Sequence, residues 1–229
     1  PSSILTGVRS VLVVATNYRT VEPAVPVAGE ARVSRYAWGG DYHRIIRGRL
    51  HSLGQFHRRL MPDQRARGVV DTAPLLEREF ARMAGLGWIG KNTMLINRQF
   101  GSWLLLGALL TTAELAYDTP YESEYCRNCR ACLDACPTRA LQEPYRLDAR
   151  LCISYLSMEH TGAIAAEFRE PFDSRLFGCD ACQEVCPHNK HTPCSPVPEF
   201  QPRDDMNPID LHGVKSLDEA AFRARFGET

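Results

Sequence analysis

The sequence predicts an α+β protein: an alternating layer of strands and helices followed by a compact cysteine-rich module. Three observations carry this reading. Apolar runs and three- and four-residue periodicities alternate over the first 120 or so residues, a length suited to one domain. Beyond Tyr125 closely spaced cysteines and short segments take over. From Thr192 the chain turns polar and proline-rich, with Pro193, Pro196, Pro198, Pro202 and Pro208. The expected division is therefore 1–120, 121–192 and a tail, 193–229, that packs on the first part.

In chain order, Ser10 to Ala15 (Ser-Val-Leu-Val-Val-Ala) is a continuous apolar run, as expected of a strand covered on both faces. Tyr18 to Val33, with Pro23, Pro26 and Gly29, reads as loop. A helix fits Asp41 to Leu60, because Tyr42, Ile45, Ile46, Leu50, Leu53 and Phe56 recur on one face. Arg67 to Val70 is a short strand leading into Asp71-Thr-Ala-Pro74, and Leu75 to Met83 is helical, with Pro74 suited to the first position and Gly85 to the stop. Asp71 thus falls where a strand hands over to a helix. Thr93 to Ile96 and Ser102 to Thr111 read as two strands around a turn at Gln99-Phe-Gly101, and the tail ends in a short helix from Leu217 to Phe226.

Lys plus Arg equal Asp plus Glu at 27 each, which argues against a uniformly basic nucleic-acid binder. Distribution tells more: between Arg44 and Arg67 lie Arg47, Arg49, Arg58, Arg59 and Arg65 with His51 and His57, against the single acid Asp63. That segment is a candidate polyanion-facing surface, with a solvated helix face as the competing reading. The longest apolar run, Trp103 to Leu110, is interrupted by Gly107 and falls far short of the ~20 residues of a spanning helix. Nine clustered cysteines in a chain of this size favour metal binding in a reducing cytoplasm over a disulfide framework. The chain begins at Pro1 without an initiator Met, so a preceding segment is expected.

The stretch Cys126-Arg-Asn-Cys129-Arg-Ala-Cys132-Leu-Asp-Ala-Cys136-Pro137 has the C-x2-C-x2-C-x3-C-P order with which bacterial ferredoxins hold cubane clusters. A second run follows in Cys179-Asp-Ala-Cys182-Gln-Glu-Val-Cys186-Pro187, with Cys152 upstream. In such runs the cysteine before proline is carried to the other cluster. Cys126, Cys129, Cys132 and Cys186 are accordingly expected on a first 4Fe-4S cluster, and Cys136, Cys152, Cys179 and Cys182 on a second. Zinc would want tidy C-x2-C pairs, which the triplets do not supply. Cys152 stands far from Cys179, so 154–176 must form an inserted excursion, and Cys194 is left over.

Other motifs are weaker. Gly85-Leu-Gly87-Trp-Ile-Gly90-Lys91 matches G-x-G-x-x-G but follows a helix rather than a strand, so a dinucleotide site is rejected. A glycine turn passing close to a large cofactor remains attractive. Asp41-Tyr-His43 resembles the start of the D-x-H-x-x-G cobalt-ligand signature but has Ile46 where glycine is required, leaving His43 as a structural or surface residue. Asp71 is in a place typical of a helix cap, unless Thr72 caps and frees it to face a site.

Taken together, Trp38-Gly-Gly-Asp41-Tyr-His43, Asp71-Thr-Ala-Pro74, Gly85 to Asn92, Gly101-Ser-Trp103, the cysteine runs, Pro144 to Asp148, Cys152-Ile-Ser-Tyr-Leu156 and Gly178-Cys-Asp-Ala-Cys182 resemble the epoxyqueuosine reductase family. The resemblance spans most of the chain, although family members carry some tens of residues before the position of Pro1. It implies a nitroreductase-like α/β cobalamin-binding domain, akin to that of reductive dehalogenases, joined to a ferredoxin-like module with two 4Fe-4S clusters. It also implies the last step of queuosine biosynthesis, in which epoxyqueuosine in a tRNA anticodon loop is reduced to queuosine. That chemistry consumes two electrons and two protons with loss of water. Asp71 would be the proton donor, its pKa raised by burial. Cobalamin contacts would come from Ser34, Asp71, Lys91, Asn92, Ile96, Ile153, Gly178, Cys179, Asp180 and Ala181. The implied setting is a cytoplasmic monomer, without membrane, served by an external low-potential electron donor. A reductive dehalogenase acting on small organohalides and a non-catalytic ferredoxin-type electron carrier are the alternatives.

Overall fold

The structure, a computed structural model, describes residues 1–227. Its first half contains β1 (Ser10–Asn17), β2 (Glu30–Val33), α1 (Tyr42–Leu60), β3 (Ala66–Val69), α2 (Glu77–Met83), β4 (Trp88–Ile89), β5 (Leu95–Ile96) and β6 (Leu104–Thr111). The second half contains α3 (Ala131–Asp134), β7 (Leu141–Glu143), β8 (Arg146–Leu147), α4 (Ile153–Met158), α5 (Arg169–Phe172), β9 (Arg175–Phe177), α6 (Ala181–Glu184), β10 (Ile209–Asp210), α7 (Leu211–Lys215) and α8 (Glu219–Phe226). The mixed α and β content agrees with the expected class.

The main sheet has the order β1-β6-β3 and is antiparallel throughout, with Ser10 opposite Thr111 and Val69 opposite Ala108. Among the described residues β1 pairs with β6 alone and is half-buried. The strand covered on both faces is instead β6, where Ala108, Leu109 and Leu110 are at most 1% exposed. Helix α1 starts at its Asp41 cap and lays Ile46 and Leu50 against Val70 and Leu109. A Cβ on Gly107 would come within 2.7 Å of Ile46 and one on Gly68 within 2.9 Å of Leu50, so the two glycines set how closely α1 approaches the sheet. On the other face Val69, Leu75, Ala108 and Leu110 form a second core with Phe80 of α2. Adjacent Val69 and Val70 therefore point into different layers, as strand alternation requires.

Several expectations change. Helix α2 starts at Glu77, three residues after Pro74, because the intervening chain is folded into turns by Ala73 N–H to Val70 O (3.0 Å) and Leu75 N–H to Ala73 O (2.7 Å). Gly85, at φ +73°, does follow the helix end. The two strands expected around Gln99 to Gly101 belong to different sheets, β5 pairing with β4 and β6 with β1 and β3, and only an Asn97–Gly101 bridge joins them. Thr93, at φ +65°, belongs to the β4–β5 turn.

Glu30 to Val33, read as loop, is strand β2 at the centre of a sheet ordered β10-β2-β9. Val33 lies beside Phe177 and Ala31 opposite Ile209, so this small sheet ties distant parts of the chain together. The tail continues onto the first half: a Cβ on Gly39 would stand 2.4 Å from Glu199 O, and Phe200 packs with Tyr18 and Trp103. No helix among the described residues is long and apolar enough to cross a membrane.

Candidate functional site

Between the start of α1, the loop after β3 and the cysteine segments lies a cavity of about 1360 Å³. That exceeds the ~300–1,000 Å³ of ordinary small-molecule pockets, leaving room for a large cofactor together with a substrate group. Ser34, Asp71, Asn92, Ile153, Cys179, Asp180 and Ala181, all expected as cofactor contacts, line it together with Tyr36, Tyr42 and His43. Three further expected contacts are placed otherwise. Ile96 is buried with Trp88 and Cys186. Lys91 turns its side chain to the carbonyls of Arg127 and Cys129, the latter at 3.0 Å. Gly178, at φ +69°, stands where a Cβ would lie 2.2 Å from Ser34 Oγ, so glycine lets the Cys179 segment close on that serine.

Asp71 is not a buried acid, as its side chain is 40% exposed. It is instead held by two donors: Oδ1 lies 2.9 Å from His43 Nε2, and Oδ2 accepts the Tyr42 hydroxyl. His43 Nδ1 is 2.8 Å from Asp41 Oδ1, completing an Asp41–His43–Asp71 line. Because Asp41 also caps α1 through the His43 N–H at 2.9 Å, the helix start fixes the imidazole. The ring stacks on Tyr42 at 4.0 Å, and Tyr36 meets Tyr42 edge-on at 5.9 Å. His43 is thus part of the site rather than a structural or surface residue. Neither Asp71 nor Thr72 caps α2, whose N-cap is Leu76; Thr72 Oγ1 accepts from Arg47 Nη2 at 3.3 Å.

The electrostatics follow this geometry. Burial works to raise the Asp41 carboxyl, but the His43 ring and backbone N–H outweigh it and hold Asp41 below the usual carboxylate range. Burial, then the hydrogen bond to Asp71, push the Tyr42 hydroxyl up. Glu77, unsuspected from sequence, is half-buried with Oε1 lacking a partner; burial, then the Asp71 charge, push it up to about 7. The folded state therefore binds more protons than the unfolded chain between the ordinary value of 4.5 and about 7. Glu77's contribution to stability is full below that window and is lost as pH rises through 7. Denaturant unfolding at pH 5 and pH 8 is expected to show the parent losing about 1–2 kcal/mol relative to Glu77→Gln, a value discounted for partial solvent contact. Identical pH dependence of the two proteins would contradict this environment for Glu77.

All nine cysteines are free. Several of them lie near enough to influence one another. Burial pushes the Cys186 thiol up, with Cys126 and Cys129 adding to the effect, and Cys132 responds to burial, Cys186 and Cys126. Burial likewise raises Cys182, which also feels Cys179, Asp180, Cys152 and, more weakly, Cys132. Cys136 lines the large cavity with Cys152, Cys179 and Cys182. Among the described residues no three His, Cys, Asp or Glu side chains converge on a single-ion site.

The second cysteine segment is fixed to the rest of the fold by buried polar contacts. Ser102 Oγ donates to Gln183 Oε1 at 2.8 Å, and Asn189 Nδ2 donates to Ser102 Oγ at 2.9 Å and Gln183 O at 2.7 Å. Asn92 Nδ2 reaches Cys182 O at 3.4 Å. The glycine turn does not approach the cavity as anticipated. A Cβ on Gly87 would lie 2.1 Å from Ile96 O and one on Gly90 2.4 Å from Ile96 Cδ1, so these glycines let β4 and β5 close on each other.

The arginine-rich segment also separates. His57 is buried and bonded to Thr111 Oγ1 at 2.7 Å, and Arg65 and Arg67 are tied to the carbonyls of Thr6 and Ile4. Arg47 and Arg49 are exposed on α1, with Arg47 reaching Thr72 beside Asp71 and Arg49 reaching Thr16.

Residues 125–189 match the 4Fe-4S double cluster binding domain, and residues 1–72 match the family model described as epoxyqueuosine reductase QueG, DUF1730. The epoxyqueuosine reductase of Xanthomonas campestris pv. campestris is 46% identical over 195 residues, covering 85% of this chain and 55% of its own length. That of Gloeobacter violaceus is 42% identical over 224 residues, covering 96% and 70%. The crystal structure of an epoxyqueuosine reductase with a tRNA-Tyr epoxyqueuosine-modified stem loop aligns with TM-score 0.92 and 33% identity over 100% of this chain and 61% of that one. The Bacillus subtilis epoxyqueuosine reductase, solved with its aspartate catalytic loop swung out of the active site, aligns with TM-score 0.91 and 31% identity at the same coverage. The chain spans about half the length of the first curated relatives it matches, 55% and 54%.

Proposed function

The chain belongs to the epoxyqueuosine reductase family, and on that premise we propose that it reduces epoxyqueuosine to queuosine in tRNA, the last step of queuosine biosynthesis. One observation carries the reading: Asp71, held by Tyr42 and His43, faces the same large cavity as Cys136, Cys152, Cys179 and Cys182. An acid and a redox cluster thus border one space big enough for a cofactor and a nucleoside.

Cys126, Cys129, Cys132 and Cys186 hold the first 4Fe-4S cluster, and Cys136, Cys152, Cys179 and Cys182 the second. The cavity's size and its broad apolar walls fit cobalamin, held by Ser34, Asn92, Ile153 and the Gly178 to Ala181 backbone in a nitroreductase-like fold. Bound there, cobalamin would supply the reductive chemistry that opens the carbon-oxygen bond, fed by single electrons from the clusters. Asp71 gives the departing oxygen its proton. Two protons are needed per turnover and one carboxyl delivers one at a time. His43, at 2.9 Å and backed by Asp41, is placed to reload it. Tyr36 and Tyr42 wall this end of the cavity beside the acid.

The substrate is tRNA carrying epoxyqueuosine in its anticodon loop, where an unstacked base can be splayed into a pocket. Arg47 and Arg49 hold its phosphates near Thr72, beside the acid. Electrons come from an external low-potential donor, and the protein works as a cytoplasmic monomer. Binding of an epoxyqueuosine-containing anticodon stem loop is expected to weaken steeply with salt. In the Arg47→Gln, Arg49→Gln double variant the slope of log affinity against log salt should drop by about 1.4, from ~0.7 per single-stranded phosphate contact. Salt-independent binding, or none, would reject the tRNA reading and leave a small-molecule substrate.

A further inference from the structure

Lys91 lies just after β4 and is only 9% exposed. Its Nζ donates to the carbonyls of Arg127 and Cys129, within the loop that carries Cys126 and Cys129. Its own carbonyl accepts the Tyr145 N–H at 3.0 Å, so both ends of the residue are fixed. Among the described residues Nζ makes no ion pair. A cation out of water and without a carboxylate is costly unless a negative charge lies near.

The first cluster provides that charge. Thiolates from Cys126, Cys129, Cys132 and Cys186 around an iron-sulfide core leave a net anion, which becomes more negative on reduction. We propose that Lys91 is the buried counter-cation of the first 4Fe-4S cluster and raises its reduction potential, easing electron entry from the external donor. This assignment rests on the ligand sets given above. The carbonyl bonds aim Nζ at the ligand loop, and burial spares its charge the screening that solvent imposes on exposed Arg127 and Arg130. The second cluster has a different surrounding, with Asp180 accepting the Arg35 N–H at 2.8 Å beside Cys179.

The test is an anaerobic redox titration, followed by electron paramagnetic resonance, of the reconstituted protein and of Lys91→Gln and Lys91→Arg. Cys129→Ala identifies which reduction step belongs to the first cluster; if both steps survive in it, the ligand sets are wrong and the Lys91 assignment is not what failed. Lys91→Gln keeps a donor to the carbonyls without the charge. At fixed potential its ratio of reduced to oxidised first cluster should fall about tenfold, a shift of ~59 mV for one electron. The second step should stay in place, and Lys91→Arg should restore the first. An unmoved first step in Lys91→Gln overturns the proposal. Loss of the first cluster's iron in that variant also overturns it, because Lys91 would then be a structural brace.

Discussion

Replacing Asp71 by asparagine is expected to lower conversion of epoxyqueuosine to queuosine by about 10²–10⁴-fold, the range for loss of a positioned general acid. Asparagine preserves the shape and one acceptor oxygen, so the Tyr42 hydroxyl keeps a partner and the loop after β3 keeps its place. What disappears is the proton. Both clusters and the affinity for the tRNA stem loop should be unchanged, because the cysteine groups and the α1 arginines lie on other segments. Glu77 offers an internal readout: with the Asp71 charge gone, one of the causes that raise it is removed, and its titration should move down from about 7. Single-turnover product analysis by mass spectrometry checks the first outcome and carboxyl nuclear magnetic resonance the second. Near-normal turnover would remove Asp71 from the role of proton donor.

The other large effect concerns the crossing of the cysteines. Cys136→Ala and Cys182→Ala are expected to abolish the same cluster, cutting iron per chain by about half and ending turnover. Cys132→Ala and Cys186→Ala should abolish the other. Cys136 is only four residues beyond Cys132 but lines the cavity with Cys152, Cys179 and Cys182, and the proposed ligand sets follow the cavity rather than the order of the sequence. Cys194, bonded through Sγ to Thr20 O at 3.1 Å, serves as control, and Cys194→Ser should keep all its iron. Unchanged iron in Cys182→Ala would refute the ligand scheme.

The double-cluster cysteine motif and α1 were legible because their signals are local: fixed cysteine spacings, and one apolar stripe at helical period. Asp71 was placed locally at the end of a strand, but its role came only from the family resemblance. Its holders were not legible. Tyr42 and His43 reach it only because α1 packs across the sheet that ends in β3, a contact between distant segments that no local pattern encodes. The Asp41-Tyr-His43 triplet is the local signal: its resemblance to a cobalt-ligand motif fails at Ile46, and its spacing instead makes a carboxylate–imidazole pair. Strand β2 escaped notice because its partners β9 and β10 lie far along the chain and contribute two or three residues each. For Lys91 the resemblance implies a cofactor contact, whereas its side chain turns into the loop carrying Cys126 and Cys129, where a buried donor finds two carbonyls.

On the proposed function a corrin cofactor in the large cavity joins the second cluster to Asp71. The most direct measurement is product formation by anaerobically reconstituted protein, with low-potential reductant and epoxyqueuosine-containing tRNA, in the presence and absence of cobalamin. Queuosine that forms only when cobalamin is bound, and that Asp71→Asn fails to produce at a comparable rate, is the expected result. Equal conversion without cobalamin would contradict the claim.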